Sequence, residues 1–142
     1  MNPVAASSPV SAGPTKFLLD VNALLAGVWG HHSRHPEAFT WLKGKAIVLC
    51  SLAELGFLRI SSNNKAINVH AALEKFCAER NAERIFDDLP ALDSKPKISE
   101  QVTDFYLADL AAKHRMKLAT FDEGLTHAAV HSIPAALKNA ST

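Results

Sequence analysis

Short apolar runs alternate with helical patterns along this sequence from about residue 16 onward. Apolar runs at residues 17–19, 46–50 and 118–121 have the length and character of buried strands, and residues 84–86 and 131–133 are interpreted as two further short strands. Between the runs, apolar residues return at the spacing of a helix face, as in Val69, Ala72, Leu73, Phe76 and Cys77. Uniformly apolar strands separated by helices predict a mainly parallel sheet with helices on both faces, an α/β/α sandwich.

Capping residues and prolines mark where the helices should begin. Asn22 is expected to cap the helix after the first strand, and Pro36 to stand in the first turn of the next helix. Ser51 should open a helix directly after the second strand, and a further helix is expected over about residues 103–114. Each helix thus starts where a strand or a polar loop ends, as an alternating α/β chain requires.

The composition is that of one globular domain. The chain has 142 residues, 48% hydrophobic and 20% charged, with a formal net charge of +1. These values exclude a disordered chain and give no overall basic field of the kind that marks a nucleic-acid binder. No apolar run reaches the roughly 18 residues that span a bilayer, so no membrane association is expected. Residues 1–15 are expected to be a disordered N-terminal extension, and residues 16–142 a single domain.

The two cysteines, Cys50 and Cys77, both lie inside apolar stretches. Buried and unpaired cysteines are typical of reduced thiols in a cytoplasmic protein. Neither belongs to a Cys-x-x-Cys or mixed Cys/His pattern, so a structural zinc site is not expected.

Four acidic residues fall at strand ends and helix starts. Asp20 follows the first strand and Asp122 follows the strand at 118–121, while Glu54 and Asp104 lie in the first turns of two helices. Ligands of an open parallel sheet bind outside the carboxyl ends of its strands. We therefore expect all four carboxylates at one edge of the sheet.

Asp104 gives the clearest indication of what these acids do. It lies three residues before Leu107, on the apolar face of its helix, so its carboxylate should point inward. Several buried carboxylates cannot all remain charged without a cation, because desolvation and mutual repulsion both oppose ionisation. Ligands that are all oxygen suit Mg²⁺ or Mn²⁺, so the pattern predicts a site for one of these ions.

Each acid also has a purely structural interpretation. Ser51 to Glu54 has the pattern of a capping box, in which Glu54 would accept from the Ser51 backbone N–H. Asp104 could complement a helix dipole, and Asp20 or Asp122 could be turn residues. Three other aspartates are interpreted as structural only. Asp87 and Asp88 are expected to be turn residues, and Asp109 to be solvated on the outer face of its helix.

Four ordered segments resemble the PIN-domain ribonucleases, most closely the VapC toxins of toxin–antitoxin pairs. They are residues 17–25 (FLLDVNALL), 51–59 (SLAELGFLR), 102–108 (VTDFYLA) and 118–122 (LATFD). The resemblance implies a three-layer α/β/α fold with a mainly parallel sheet. It also implies that Asp20, Glu54, Asp104 and Asp122 are the metal-binding and catalytic acids, and that Asn22, Thr103 and Thr120 support them.

The resemblance further implies the activity and the partners. It implies a Mg²⁺- or Mn²⁺-dependent endoribonuclease that cleaves single-stranded or loop RNA, a cognate antitoxin protein that blocks the site, and frequent homodimerisation. Two alternatives remain: a PIN-like module that is catalytically inert and only binds a protein, and a phosphoacceptor receiver domain. A receiver needs a phosphorylatable aspartate at the end of a central strand and a lysine later in the chain. No strand here ends in that arrangement.

Two basic clusters are candidates for contact with RNA. One is the loop containing His31, His32, Arg34 and His35, which is also compatible with a solvated loop. The other lies at and beyond a helix C-terminus, where positive charge also complements the helix dipole. From it we take Lys113, Arg115 and Lys117 as possible RNA-binding residues, together with Arg59 from the Glu54 helix.

Overall fold

The computed structural model describes residues 13–62 and 68–134. Most of the predicted N-terminal extension therefore lies outside the described residues, and its disorder stays a prediction. The strands are β1 (Lys16–Leu19), β2 (Ala46–Cys50), β3 (Glu83–Ile85), β4 (Lys117–Thr120) and β5 (Val130–Ser132). The α-helices are α1 (Val21–Val28), α2 (His35–Leu42), α3 (Ser51–Ser61), α4 (Val69–Arg80) and α5 (Val102–Lys113). Short 3₁₀ turns cover Ala91–Asp93 and Ser99–Gln101.

The five described strands form one parallel sheet in the order β3-β2-β1-β4-β5. The order reverses between β1 and β4, because the chain moves outward from β1 in one direction through β2 and β3, then crosses to β4. A crevice opens at such a reversal, outside the carboxyl ends of the two strands. Asp20 follows β1 and Asp122 lies two residues after β4, so both acids flank this crevice.

The sheet is covered on both faces, as the apolar runs predicted. Leu19, Phe17 and Ile47 pack into one core with α1, α2 and α4, while Leu18 and Val48 pack into a second core with α5. Successive strand residues point to opposite faces, so each central strand contributes to both cores. The α/β/α prediction is confirmed.

The start of α1 differs from the prediction. Asp20, not Asn22, is the N-cap, and its Oδ1 accepts from the backbone N–H of Ala23 at 2.7 Å. Asn22 lies inside the first turn and is exposed. Because Asp20 directly ends β1, the strand passes into the helix without a loop, and the carboxylate is fixed at the junction. The start of α2 is as predicted, with Pro36 in its first turn.

The start of α3 is capped from another part of the chain. Asp87, just after β3, accepts from the backbone N–H groups of Ser51 and Leu52 at 2.9 and 3.0 Å. The capping-box interpretation of Glu54 is therefore wrong, since the Ser51 N–H is bonded to Asp87. The structural interpretation of Asp87 is confirmed, although the residue caps a helix 35 positions away instead of forming a local turn. Asp88 is paired with His114 at 2.7 Å.

The cysteines and the lengths of the helices agree with the sequence. Cys50 and Cys77 are both free, and Cys50 is buried in the sheet. In the described ranges, no helix is long and apolar enough to cross a membrane.

Replacing Asp87 with alanine should destabilise the fold. The substitution removes the two hydrogen bonds that hold the first turn of α3, and loss of an N-cap carboxylate typically costs about 1–2 kcal/mol. Urea denaturation followed by circular dichroism measures the free energy of unfolding. Asp93→Ala, at an exposed acid in a 3₁₀ turn, should change this free energy by less than about 0.5 kcal/mol. Equal losses in the two variants would contradict the capping role.

Candidate active site

Asp20 is the buried centre of the candidate site. Only 1% of the residue is exposed, and its carboxylate accepts from the Ala23 N–H and from the side chain of Thr120. Burial raises the pKa of Asp20 to about 7, although these two hydrogen bonds oppose the rise. The nearby carboxylates of Asp104 and Asp122 raise it further. Asp20 thus needs a positive partner to remain ionised at neutral pH.

Asp104 and Asp122 complete a group of three carboxylates. Asp104 projects from the first turn of α5 and is partly buried, and burial together with the charge of Asp122 raises its pKa. Asp122 is held in the loop after β4, where its Oδ1 accepts from the Gly124 N–H at 2.9 Å. The acids come from three separate parts of the chain, and the charges of Asp104 and Asp122 both act on Asp20.

Thr120 connects two of the acids. It is fully buried at the end of β4, and its hydroxyl donates to the Asp20 carboxylate while accepting from the Asp122 N–H at 3.0 Å. Thr120 therefore contacts both acids, and its supporting role in a metal site stays a prediction. The backbone reinforces the link, because the Asp20 N–H donates to the Ala119 carbonyl at 3.3 Å.

Glu54 is not gathered with the three aspartates. Its Oε2 accepts from Nε of Arg84 on β3 at 2.7 Å, so the carboxylate is turned toward the β3 edge of the sheet. The sequence did not indicate that Arg84 contacts Glu54. The residues around Arg84 give no sign that this arginine differs from any other exposed charge. The metal-binding role of Glu54 stays a prediction.

A pocket of about 530 Å³ opens beside Asp104, between the starts of α1, α3 and α5. Asn22, Thr103 and Arg59 all line it, so two of the predicted supporting residues and one predicted RNA-binding residue do lie near the site. Asn22 and Thr103 are exposed, and within the described ranges neither donates a hydrogen bond to the acids. Arg59 forms no ion pair with any other residue in the ranges 13–62 and 68–134.

The second basic cluster lies at the other edge of the sheet. Lys113 ends the helix that Asp104 begins, nine residues away, a distance of about 14 Å along the helix axis. Its side chain is paired with Asp88. Arg115 follows in the turn, and Lys117 begins β4, where its ammonium donates to the Ala128 carbonyl. The structure therefore separates Lys113, Arg115 and Lys117 from the acids, and RNA contact by them stays a prediction.

The first basic cluster lies nearer. The loop between α1 and α2 brings the Arg34 guanidinium over the ring of Phe121, the residue before Asp122, at 4.2 Å from the ring centroid. The sequence identified this loop as basic but could not show which edge of the sheet it reaches.

The donor chemistry of the three aspartates fits a hard divalent cation. All ligand atoms are carboxylate oxygens, and the raised pKa values show that the apo site holds more negative charge than its surroundings stabilise. Across residues 13–62 and 68–134, no three acidic, histidine or cysteine side chains already stand close enough to hold a metal ion jointly. The aspartates thus share one electrostatic environment without forming a finished coordination shell.

Comparison with known proteins gives consistent matches. Ribonuclease VapC38 of Mycobacterium tuberculosis (strain ATCC 25618 / H37Rv) is 35% identical over 121 residues, 76% of this chain and 86% of the relative. Ribonuclease VapC39 of Mycobacterium tuberculosis (strain CDC 1551 / Oshkosh) is 33% identical over 128 residues, 79% of this chain and 92% of the relative. No family model matches the sequence.

One solved structure supports the fold independently. The crystal structure of VapBC2 from Rickettsia felis, bound to a DNA fragment from their promoter, matches with a TM-score of 0.55 at 14% identity. The match covers 77% of this chain and 89% of that chain. The three-layer, PIN-like fold implied by the resemblance is therefore confirmed.

The raised pKa of Asp20 makes the stability of the metal-free protein depend on pH. The folded state binds a proton more tightly than the unfolded state, for which the ordinary pKa is 3.8, so stability should fall as pH rises from about 4 to 7. Asp20→Asn removes this contribution. In EDTA, the difference in unfolding free energy between variant and wild type should grow by up to about 4 kcal/mol from pH 4 to pH 8.

Urea denaturation at a series of pH values gives this difference directly. Asp93→Asn serves as the control, because that exposed carboxylate lies apart from the three aspartates and should leave the wild-type slope unchanged. Parallel stability curves for wild type and Asp20→Asn would show that Asp20 is ionised without difficulty in the folded protein.

Proposed function

The chain belongs to the VapC family of ribonucleases, and from this membership and its site we propose that it is a metal-dependent endoribonuclease. Its substrate is single-stranded or loop RNA, in which it hydrolyses phosphodiester bonds, and it is the toxin of a toxin–antitoxin pair acting in the cytoplasm. The observation that carries the proposal is the convergence of Asp20, Asp104 and Asp122 at the crevice between β1 and β4, where burial and neighbouring carboxylates raise the pKa values of Asp20 and Asp104.

Each side chain of the site has a distinct task in this proposal. Asp20 is the fixed ligand, because the α1 N-terminus and the Thr120 hydroxyl hold its oxygens in place. Asp104 and Asp122 add carboxylates from α5 and from the loop after β4. When bound, Mg²⁺ or Mn²⁺ supplies a Lewis acid that activates water and neutralises charge on the phosphate. Because the pKa of Asp20 is raised to about 7, metal binding near neutral pH would release a proton from this carboxyl in part of the molecules.

The remaining site residues would act around this centre. Arg59 and Asn22, which line the pocket beside Asp104, are placed to contact the RNA strand as it enters. For Glu54, we propose that the ion pair with Arg84 must break before the carboxylate can bind the metal directly. The present contact at 2.7 Å holds this carboxylate toward β3.

We also propose a protein partner and a dimer. Large apolar side chains are strongly exposed, including Leu55 in the pocket wall at 62%, and Phe86 and Leu92 elsewhere at 87% and 88%. Exposed apolar groups of this size are typical of surfaces that bind other proteins. A cognate antitoxin and a second copy of the chain are the partners that family membership suggests.

Cleavage should require both the metal and the aspartates. Purified protein free of antitoxin should cleave a single-stranded RNA in Mg²⁺ or Mn²⁺, and EDTA should stop it. Asp104→Asn should lower the rate about 100-fold or more, because it removes one ionised ligand from the site. Asp109→Asn is the matched control, since it makes the same change on the same helix, where Asp109 is paired with His127 away from the site. Cleavage that survives EDTA, or equal losses in both variants, would contradict the mechanism.

Metal binding should be visible without any RNA. Mn²⁺ should stabilise the wild type by about 2.7 kcal/mol at a hundredfold excess over its Kd, and should stabilise Asp104→Asn far less. In EDTA the variant should melt at or above the wild-type temperature, because one repelling charge is gone. Thermal melts of both proteins in EDTA and in Mn²⁺ measure this. A wild type that Mn²⁺ does not stabilise would favour an inert binding module.

A further inference from the structure

Arg34 places a positive charge beside the acidic site. The Cζ atom of its guanidinium lies over the Phe121 ring, 4.2 Å from the centroid, and Phe121 immediately precedes Asp122. Consecutive Cα atoms are only about 3.8 Å apart, so the cation contacts the residue next to the one that carries the Asp122 carboxylate. Three crowded carboxylates repel an RNA phosphate, so a fixed cation at this point reduces the repulsion where the backbone must approach.

The loop that carries Arg34 is held at both ends. At its start, the Trp29 indole N–H donates to the Ser61 hydroxyl at 2.8 Å, and the ring stacks on Phe57 of α3. At its end, the His35 ring is bonded to the Ala26 carbonyl of α1 at 2.8 Å. Arg34 is therefore positioned before any ligand arrives, and little conformational freedom remains to be lost on binding.

The guanidinium keeps N–H groups available for a ligand. Arg34 forms an i,i+3 ion pair with Glu37, but the 3.8 Å between Nε and Oε2 is longer than a hydrogen bond. Within the described ranges, the terminal nitrogens of Arg34 donate no hydrogen bond, and 36% of the side chain is exposed. A guanidinium that rests on an aromatic ring and retains two free terminal nitrogens can bind phosphate through two parallel N–H bonds.

Arg84 of β3 is already hydrogen-bonded to Glu54 at 2.7 Å. Lys16 and Lys113 lie at the opposite edge of the sheet, away from the acids. Arg59 on α3 lines the pocket beside Asp104. The two arginines thus approach the site through different neighbours, Arg34 through Phe121 next to Asp122 and Arg59 through the pocket beside Asp104.

We propose that Arg34 binds a backbone phosphate of the RNA strand on the Asp122 side of the site. The strand then passes over the three aspartates between Arg34 and Arg59. This inference rests on the proposed ribonuclease function and adds the path that the RNA strand takes across the site. Arg34 makes no contact with a base in this arrangement, so it contributes affinity for single-stranded RNA of any sequence.

RNA affinity in the absence of cleavage tests the proposal. A fluorescently labelled single-stranded RNA is titrated with the full chain in EDTA at several KCl concentrations, and anisotropy gives the Kd. Arg34→Gln should weaken binding about tenfold, and the slope of log Kd against log salt should fall by about 0.7 because one phosphate contact is lost. Arg34→Lys retains the charge but not the flat two-bond geometry, so its loss should be intermediate. With Mg²⁺, Arg34→Gln should raise KM with little change in kcat.

Arg80→Gln is the matched control. Arg80 also lies over aromatic rings, those of Phe39 and Phe76, but it ends α4 at the opposite edge of the sheet. Its variant should keep the wild-type Kd and salt slope, and thermal melts should show that both variants are folded. Unchanged RNA affinity in Arg34→Gln, or a loss in Arg115→Gln alone, would overturn the proposal even if the wild type cleaves RNA. A wild type that binds RNA through Arg34 but never cleaves it would instead overturn the proposed function.

Discussion

The Asp20 carboxylate is buried at the point where β1 ends, α1 begins and β4 passes alongside. One oxygen caps α1, and the Thr120 hydroxyl on β4 donates to the same carboxylate. The group therefore links a strand, a helix and the neighbouring strand across the reversal in strand order. Because it is buried with Asp104 and Asp122 nearby, its pKa rises to about 7. Asp20 thus links three elements of the fold although the fold does not stabilise its charge. This is typical of functional sites that reach full stability only with their ligand.

Positive charge is distributed unequally around this site. The chain is almost neutral overall, with fifteen basic and fourteen acidic residues, so binding of a polyanion must depend on local placement. Most basic side chains near the strand ends are paired with acids, which limits their attraction for RNA. Arg34 differs because an aromatic ring, and not a hydrogen-bonded carboxylate, holds it in place. Stacking keeps the charge fixed while leaving its donors for a phosphate.

The outer strand β3 controls the start of α3 by two contacts from the same short segment. Asp87 bonds the first N–H groups of the helix, and Arg84 bonds Glu54 one turn later. Both contacts join residues at least 30 positions apart in sequence. They show why Glu54 faces away from the aspartates although its position in the first turn of α3 is the one expected.

Much of this protein is determined by local sequence. Apolar runs predicted β1, β2 and β4 to within about one residue, because a strand buried on both faces has few polar positions. The placement of Asp20 and Asp122 at the carboxyl ends followed from the same reasoning, and so did the inward position of Asp104. Tertiary structure alone decided the rest. The side chains that cap α3, neutralise Glu54 and approach Asp122 come from distant segments, and no local pattern encodes their contacts. The sequence favoured Lys113, Arg115 and Lys117 over the loop at 31–35 as RNA-binding residues, and only the path of the chain through the sheet placed Arg34 near the acidic edge and Lys113 at the other.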